Sequence, residues 1–115
     1  MLAFLKIRQD LSKSVQQVKK KIGDIIEIPT SKGLAYVQYT HEDSIMGSLI
    51  RVLQGFYEVR PSVETILSIV NKPHKFQRFC QIYVSVNNGD WERVGNFQVP
   101  EFVQKFPLLM KIQEK

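Results

Sequence analysis

The sequence predicts a mostly-β (α+β) domain: a small, strongly bent antiparallel sheet or SH3-like partial barrel, with an N-terminal helix and a short inserted helix. Three observations lead there. Short β-branched runs are separated by Gly, Pro and Asn breaks, the pattern of strands joined by tight turns. Residues 79–86 alternate apolar and polar side chains with a period of two. Residues 11–22 instead repeat apolar groups with the period of a helix.

That helix rests on Leu11, Val15, Val18 and Ile22, with Asp10 or Ser12 as its cap and Gly23 as its stop. Lysines 19–21 then fall near its C-terminus, where the macrodipole favours positive charge. Gly23 to Pro29 reads as a first strand, Thr30 to Gly33 as a turn and Leu34 to His41 as the return strand of a hairpin. After a polar loop over 42–47, Ser48 to Tyr57 is expected as a third strand, with Gly55 marking a bulge near its end.

Arg60-Pro61-Ser62 breaks the pattern, and Ser62 can cap a short helix over Val63–Val70 that places Val63, Ile66, Leu67 and Val70 on one face, although the dense β-branched residues there also fit a further strand. Phe79 to Val86 is then expected as a strand, because Ile82, Val84 and Val86 alternate with Gln81, Tyr83 and Ser85. Asn87-Asn88-Gly89-Asp90 has the residue types of a hairpin turn, and Trp91 to Gln98 reads as the partner strand. Phe102, Phe106, Leu108, Leu109 and Ile112 supply an apolar tail that caps the core.

At 115 residues the chain suits one domain, divided into a basic helical leader over 1–21 and a β-rich body over 22–115. The net charge of +5 belongs to the leader. Residues 1–21 hold six basic groups against the single acid Asp10, which leaves ten of each sign in the body. A nucleic-acid-binding domain is expected to carry its basic stripe on the folded surface, so the neutral body argues against one. The lone Cys80 excludes an internal disulfide and suits a reducing compartment. The apolar start, Met1 to Leu5, is too short for a signal or membrane-spanning segment, so the expectation is a cytoplasmic protein with no membrane role.

Chemistry-bearing residues are few. His41, Glu42 and Asp43 are adjacent, but neighbouring side chains on an extended chain diverge, so they read as a solvated loop open to partner contact rather than as metal ligands. Cys80 and His74 lack the orienting group and oxyanion site of a nucleophile–base pair, and Cys80 reads as core filling. No phosphate loop, dinucleotide fingerprint or catalytic triad pattern occurs, so no cofactor, no metal and no catalytic residue are expected. The aromatic supply is richer: Tyr36, Tyr39, Tyr57, Tyr83 and Trp91 interleave with Gln38, Arg51, Arg60 and Arg93. These types dominate protein interfaces. Trp91, beside the turn, is expected to be structural, while Tyr39 and Tyr83 are expected on outward faces. The partner-binding candidates are therefore Tyr39, His41, Glu42, Asp43, Arg51, Tyr83 and Arg93.

Three stretches taken in order resemble the bacterial immunity protein 26 family of polymorphic toxin systems. They are Ile22-Gly23-Asp24-Ile25-Ile26-Glu27-Ile28-Pro29 with Lys32-Gly33-Leu34-Ala35-Tyr36, then Leu49-Ile50-Arg51-Val52-Leu53, then Trp91-Glu92-Arg93-Val94-Gly95-Asn96 followed by Pro100. The resemblance covers about residues 22 to 107 and leaves the basic leader outside. It implies a cytoplasmic, non-catalytic protein that neutralises a cognate toxin by occluding it. No residue inherits a toxin-contacting role from it. The alternative expectation is a small nucleic-acid-binding barrel that uses the basic leader. An exposed edge strand would also allow a homodimer.

Overall fold

The computed structural model describes residues 19–105. Of the leader helix expected on Leu11, Val15, Val18 and Ile22, the part through Val18 lies outside the described residues, as does the apolar tail expected on Phe106, Leu108, Leu109 and Ile112. The expected last turn of that helix is described and is not helical: residues 19–21 have no regular structure and Ile22 stands in a turn.

Strands β1 (Asp24–Thr30) and β2 (Gly33–Asp43) form the expected antiparallel hairpin. Its turn is held by Thr30, whose hydroxyl donates to the Gly33 carbonyl at 2.6 Å and accepts from the Lys32 N–H at 3.1 Å. Strand β3 (Gly47–Val52) returns along β2 but stops earlier than expected. The rest of the expected strand, through Tyr57, leaves the ladder and meets the sheet again at an isolated Leu34–Tyr57 bridge. Of the two readings the sequence allows for the block after Ser62, the helix forms, as α1 (Val63–Val70), with the Ser62 side chain accepting from the Thr65 N–H at 3.2 Å.

The strand expected over Phe79–Val86 is a correction, and with it the hairpin to Trp91–Gln98. Strand β4 (Phe76–Phe79) ends where that strand was expected to begin and pairs with β3. The residues that follow form helix α2 (Ile82–Asn87), and β5 (Glu92–Asn96) pairs with β1. Ile82 and Val86 stand four apart, so one helical turn brings them to the same side together with Tyr83. Val84, which completed the period-two pattern, is 54% exposed. Helix α3 (Glu101–Gln104) closes the described chain.

The sheet is antiparallel and open, in the order β4-β3-β2-β1-β5. Both of its faces are covered. On one, Ile26, Val37, Tyr39 and Ile50 pack against Ile82, Tyr83 and Val86 of α2, with Trp91 and Cys80 partly buried beside them. On the other, Ile25, Tyr36 and Leu53 pack against Ile66, Ile69 and Val70 of α1. Successive residues of β1 and β2 thus enter different cores. This explains the unbroken apolar pair Ile25-Ile26, where a half-solvated strand would alternate. Register shifts lie between Tyr39 and His41 in β2 and between Ile25 and Ile26 in β1, adding local twist. No helix among the described residues is long and apolar enough to cross a membrane.

Candidate functional site

Because both faces are covered, the polar residues of the central strands must find partners inside the protein. Three groups do so. Asp24, fully buried at the start of β1, accepts from the Tyr83 hydroxyl at 2.5 Å, the Asn96 side-chain amide at 2.9 Å and the Lys21 backbone N–H at 3.2 Å. Arg93 on β5 adds a longer ionic contact at 3.6 Å. Burial, reinforced by the bond to Asp24, pushes the Tyr83 hydroxyl well above the usual tyrosine range.

Glu27 is clamped from two sides. Arg60 donates from Nε and Nη2 at 2.8 and 3.0 Å, and the Tyr36 hydroxyl donates at 2.7 Å. Arg60 also reaches Glu92 at 2.9 Å, tying β1 to β5 through the segment that precedes α1. The Arg60 bonds, opposed by burial and helped by Tyr36, hold the Glu27 carboxyl below its usual value. The third group centres on Arg51, which donates to Gln38 Oε1 at 2.9 Å, to the Lys72 carbonyl at 3.3 Å and to the Val70 carbonyl. Burial pushes its pKa down to about 10, which leaves it charged at neutral pH.

Two of the sequence-derived expectations change here. Tyr39 and Tyr83 do not face outward: they are 3% and 6% exposed and meet edge to face with ring centroids 5.6 Å apart. The physical reason differs for each. Tyr39 lies in a strand covered on both faces, and Tyr83 belongs to the buried side of a helix rather than the outer side of a strand. Arg51, also a contact candidate, is 0% exposed and spends its donors inside. Arg93 keeps an exposed side chain near Asp24.

His41, Glu42 and Asp43 lie together at the end of β2, yet each has a separate task. His41 Nε2 stands 2.7 Å from the Gln104 carbonyl, which can only accept, so this nitrogen carries a proton and fastens α3 to the sheet. Glu42 accepts from Tyr39 at 2.6 Å and Ser48 at 2.9 Å and pairs with Lys20 at 3.6 Å. Asp43 Oδ2 accepts from the N–H groups of Ile45 and Met46 at 2.9 and 2.7 Å, closing the β2–β3 turn. Among the described residues no three His, Cys, Asp or Glu side chains converge as metal ligands.

Concavities flank these groups. One of about 490 Å³ runs between α1 and the segment entering α3, lined by Leu67, Asn71, Gln98, Val99, Pro100 and Gln104 among others. A smaller one of about 180 Å³ is lined by Lys20, Ser48, Gln81 and Tyr83 among others. Sequence reading missed the Glu27–Arg60 clamp, whose partners are 33 positions apart, and a surface cluster of Lys32, Phe56 and Lys75. The second carried a signal: residues 65–89 contain no Asp or Glu, so their lysines lack nearby acids in sequence.

No protein-family model matches the chain, and neither curated proteins nor solved structures return a match to it.

Proposed function

We propose that this chain is a non-catalytic binding protein, an immunity protein that neutralises a cognate bacterial toxin in the cytoplasm by covering it. One observation carries the reading: the separated stretches that resemble the immunity protein 26 family, bridged by Gln38 and Phe97 that lie outside them, meet in a single hydrogen-bonded seam. The Phe97 N–H donates to the Gly23 carbonyl at 3.0 Å, and Asn96 donates to Asp24 at 2.9 Å. Gln38 then donates to the Phe97 carbonyl at 2.9 Å and accepts from Arg51, which joins the middle stretch to the other two.

These residues act as a structural signature. Recognition of the toxin then falls to exposed side chains, which can vary without disturbing the seam. An interface of standard size needs about 800 Å² from each partner, within reach of a domain this large. The function calls for no cofactor and no membrane. An SH3-like curl of the sheet belongs to the same proposal and is supported by the local twist of its two register shifts.

The test is co-expression with the C-terminal domain of a toxin encoded beside the gene. Growth is expected to be restored, and the two proteins to co-elute as a complex on size exclusion. Absence of both protection and complex removes the reading. Salt-sensitive oligonucleotide binding that disappears on deleting residues 1–21 replaces it with nucleic-acid binding.

A further inference from the structure

Lys32, Phe56 and Lys75 come from three separate segments: the β1–β2 turn, the stretch after β3 and the residue before β4. The Lys75 ammonium stands 4.2 Å from the centroid of the Phe56 ring, and the Lys32 ammonium stands 5.8 Å from it. All three side chains are exposed, and Phe76, next to Lys75, is 50% exposed.

Hydrogen bonds fix the three segments that carry these side chains. The Lys75 N–H donates to the Val52 carbonyl at 2.7 Å, which anchors the residue against the end of β3. Leu34 and Tyr57 exchange bonds of 2.7 and 3.0 Å, which holds the Phe56 segment against the turn that carries Lys32. Gln54 donates to the Pro73 carbonyl at 3.1 Å and joins the two remaining segments. A surface held in this way loses little backbone freedom when a partner arrives.

The charges are not balanced locally. Neither lysine forms an ion pair with a carboxylate among the described residues. The ring quadrupole attracts both cations and offsets part of their mutual repulsion. An anionic group placed beside them relieves the rest. A nucleic-acid base stacking on Phe56 would compete with Lys75 for the ring face over which it stands. Carboxylate side chains need only the ammonium groups.

We propose that Lys32, Lys75 and Phe56 form a preorganised docking surface for an acidic segment of the protein partner. This rests on the protein-binding reading above and adds the chemistry of the partner's contacting face. It also accords with a toxin that is not a nuclease, since nucleic-acid-cleaving partners favour acidic inhibitors.

The test is an amide chemical-shift titration of the isotopically labelled full chain with three probes: hexaglutamate, hexaglutamine and a six-nucleotide oligothymidine. Hexaglutamate is expected to shift the amides of Lys32, Phe56 and Lys75, and hexaglutamine to leave them in place. The double variant Lys32→Glu, Lys75→Glu is expected to bind hexaglutamate at least about tenfold more weakly, with the rest of its spectrum unchanged. Hexaglutamate that leaves these amides unmoved, or binds the double variant equally well, overturns the proposal. Oligothymidine that shifts them more strongly than hexaglutamate overturns it in favour of nucleic acid. Failure of the toxin reading appears separately, as a wild-type chain that gives no protection in co-expression.

Discussion

Arg51 and Gln38 lie opposite each other on β3 and β2, and the guanidinium Nε donates to the Gln38 side-chain oxygen at 2.9 Å. The remaining Arg51 donors turn to the carbonyls of Val70 and Lys72 at the end of α1. That helix has no basic residue in its own last turn. A residue of the sheet therefore supplies the positive charge that the C-terminal end of the helix dipole favours.

Arg51→Ala is expected to strip the donor from Gln38 and from two carbonyls while opening a void in the core. The combined loss is about 3 kcal/mol or more, read as a lowered midpoint in urea denaturation. A double-mutant cycle with Gln38→Ala is expected to show coupling of about 0.5–3 kcal/mol. Additive single effects would mean that the pair contributes nothing as a pair.

Removing the Tyr83 hydroxyl tests the link between α2 and β1. Tyr83→Phe keeps the ring and its edge-to-face contact with Tyr39 but takes one donor from the fully buried Asp24. Hydrogen bonds to charged groups typically contribute about 1.5–3 kcal/mol, so a destabilisation in that range is expected by denaturant titration. A variant as stable as wild type shows that Asn96, the Lys21 N–H and Arg93 satisfy Asp24 without the tyrosine.

The outcome at Tyr83 shows how far the fold was legible in the sequence. Local signals held where they were local: Ser62 caps α1, and Thr30 closes the β1–β2 turn. They failed over Phe79–Val86, where a six-residue helix shares Ile82 and Val86 with the alternating pattern. Eight residues are too few to separate the two periods once Tyr83 is counted as polar. The candidate site was harder to read because its partners are distant in the chain. Asp24 and Tyr83 are 59 positions apart and Glu27 and Arg60 are 33. A strand covered on both faces also buries side chains that a half-solvated sheet would expose, which is why Tyr39 and Arg51 lie inside.

Two glycines in the same backbone region separate conformation from contact. Gly23 has φ +97° and Gly47 has φ +93°, so an alanine is strained at either position. Around Gly47 nothing lies within 4 Å of the added carbon, and a loss of about 1 kcal/mol is expected for Gly47→Ala. At Gly23 the carbon would come within 2.4 Å of the Phe97 carbonyl oxygen, backbone of the seam that joins β1 to the residues after β5. Gly23→Ala is expected to cost at least about 2 kcal/mol. Equal thermal midpoints for the two variants would show that this seam yields freely.

Glu27 gives the fold a defined acid limb. Its carboxyl is held below the ordinary value of 4.5, first by Arg60, against the opposing effect of burial, and then by Tyr36. Between the lowered folded value and the unfolded one, the unfolded chain binds the extra proton, so stability rises with pH across that window. The Glu27 contribution is complete above the unfolded value and is lost as pH falls through the folded one. Glu42, whose carboxyl is also lowered, adds a slope of the same sign: burial raises it, but bonds from Tyr39 and Ser48 and the charge of Lys20 outweigh that. Glu27→Gln is therefore expected to be less stable than wild type at neutral pH, with the difference shrinking as the acid limb is descended. Arg60→Ala is expected to return the Glu27 titration toward its ordinary value, because Arg60 is the main cause of the shift. Urea denaturation at a series of pH values from neutral to acid reads both effects. Parallel wild-type and Glu27→Gln curves across the acid window would place the acid limb on other carboxylates.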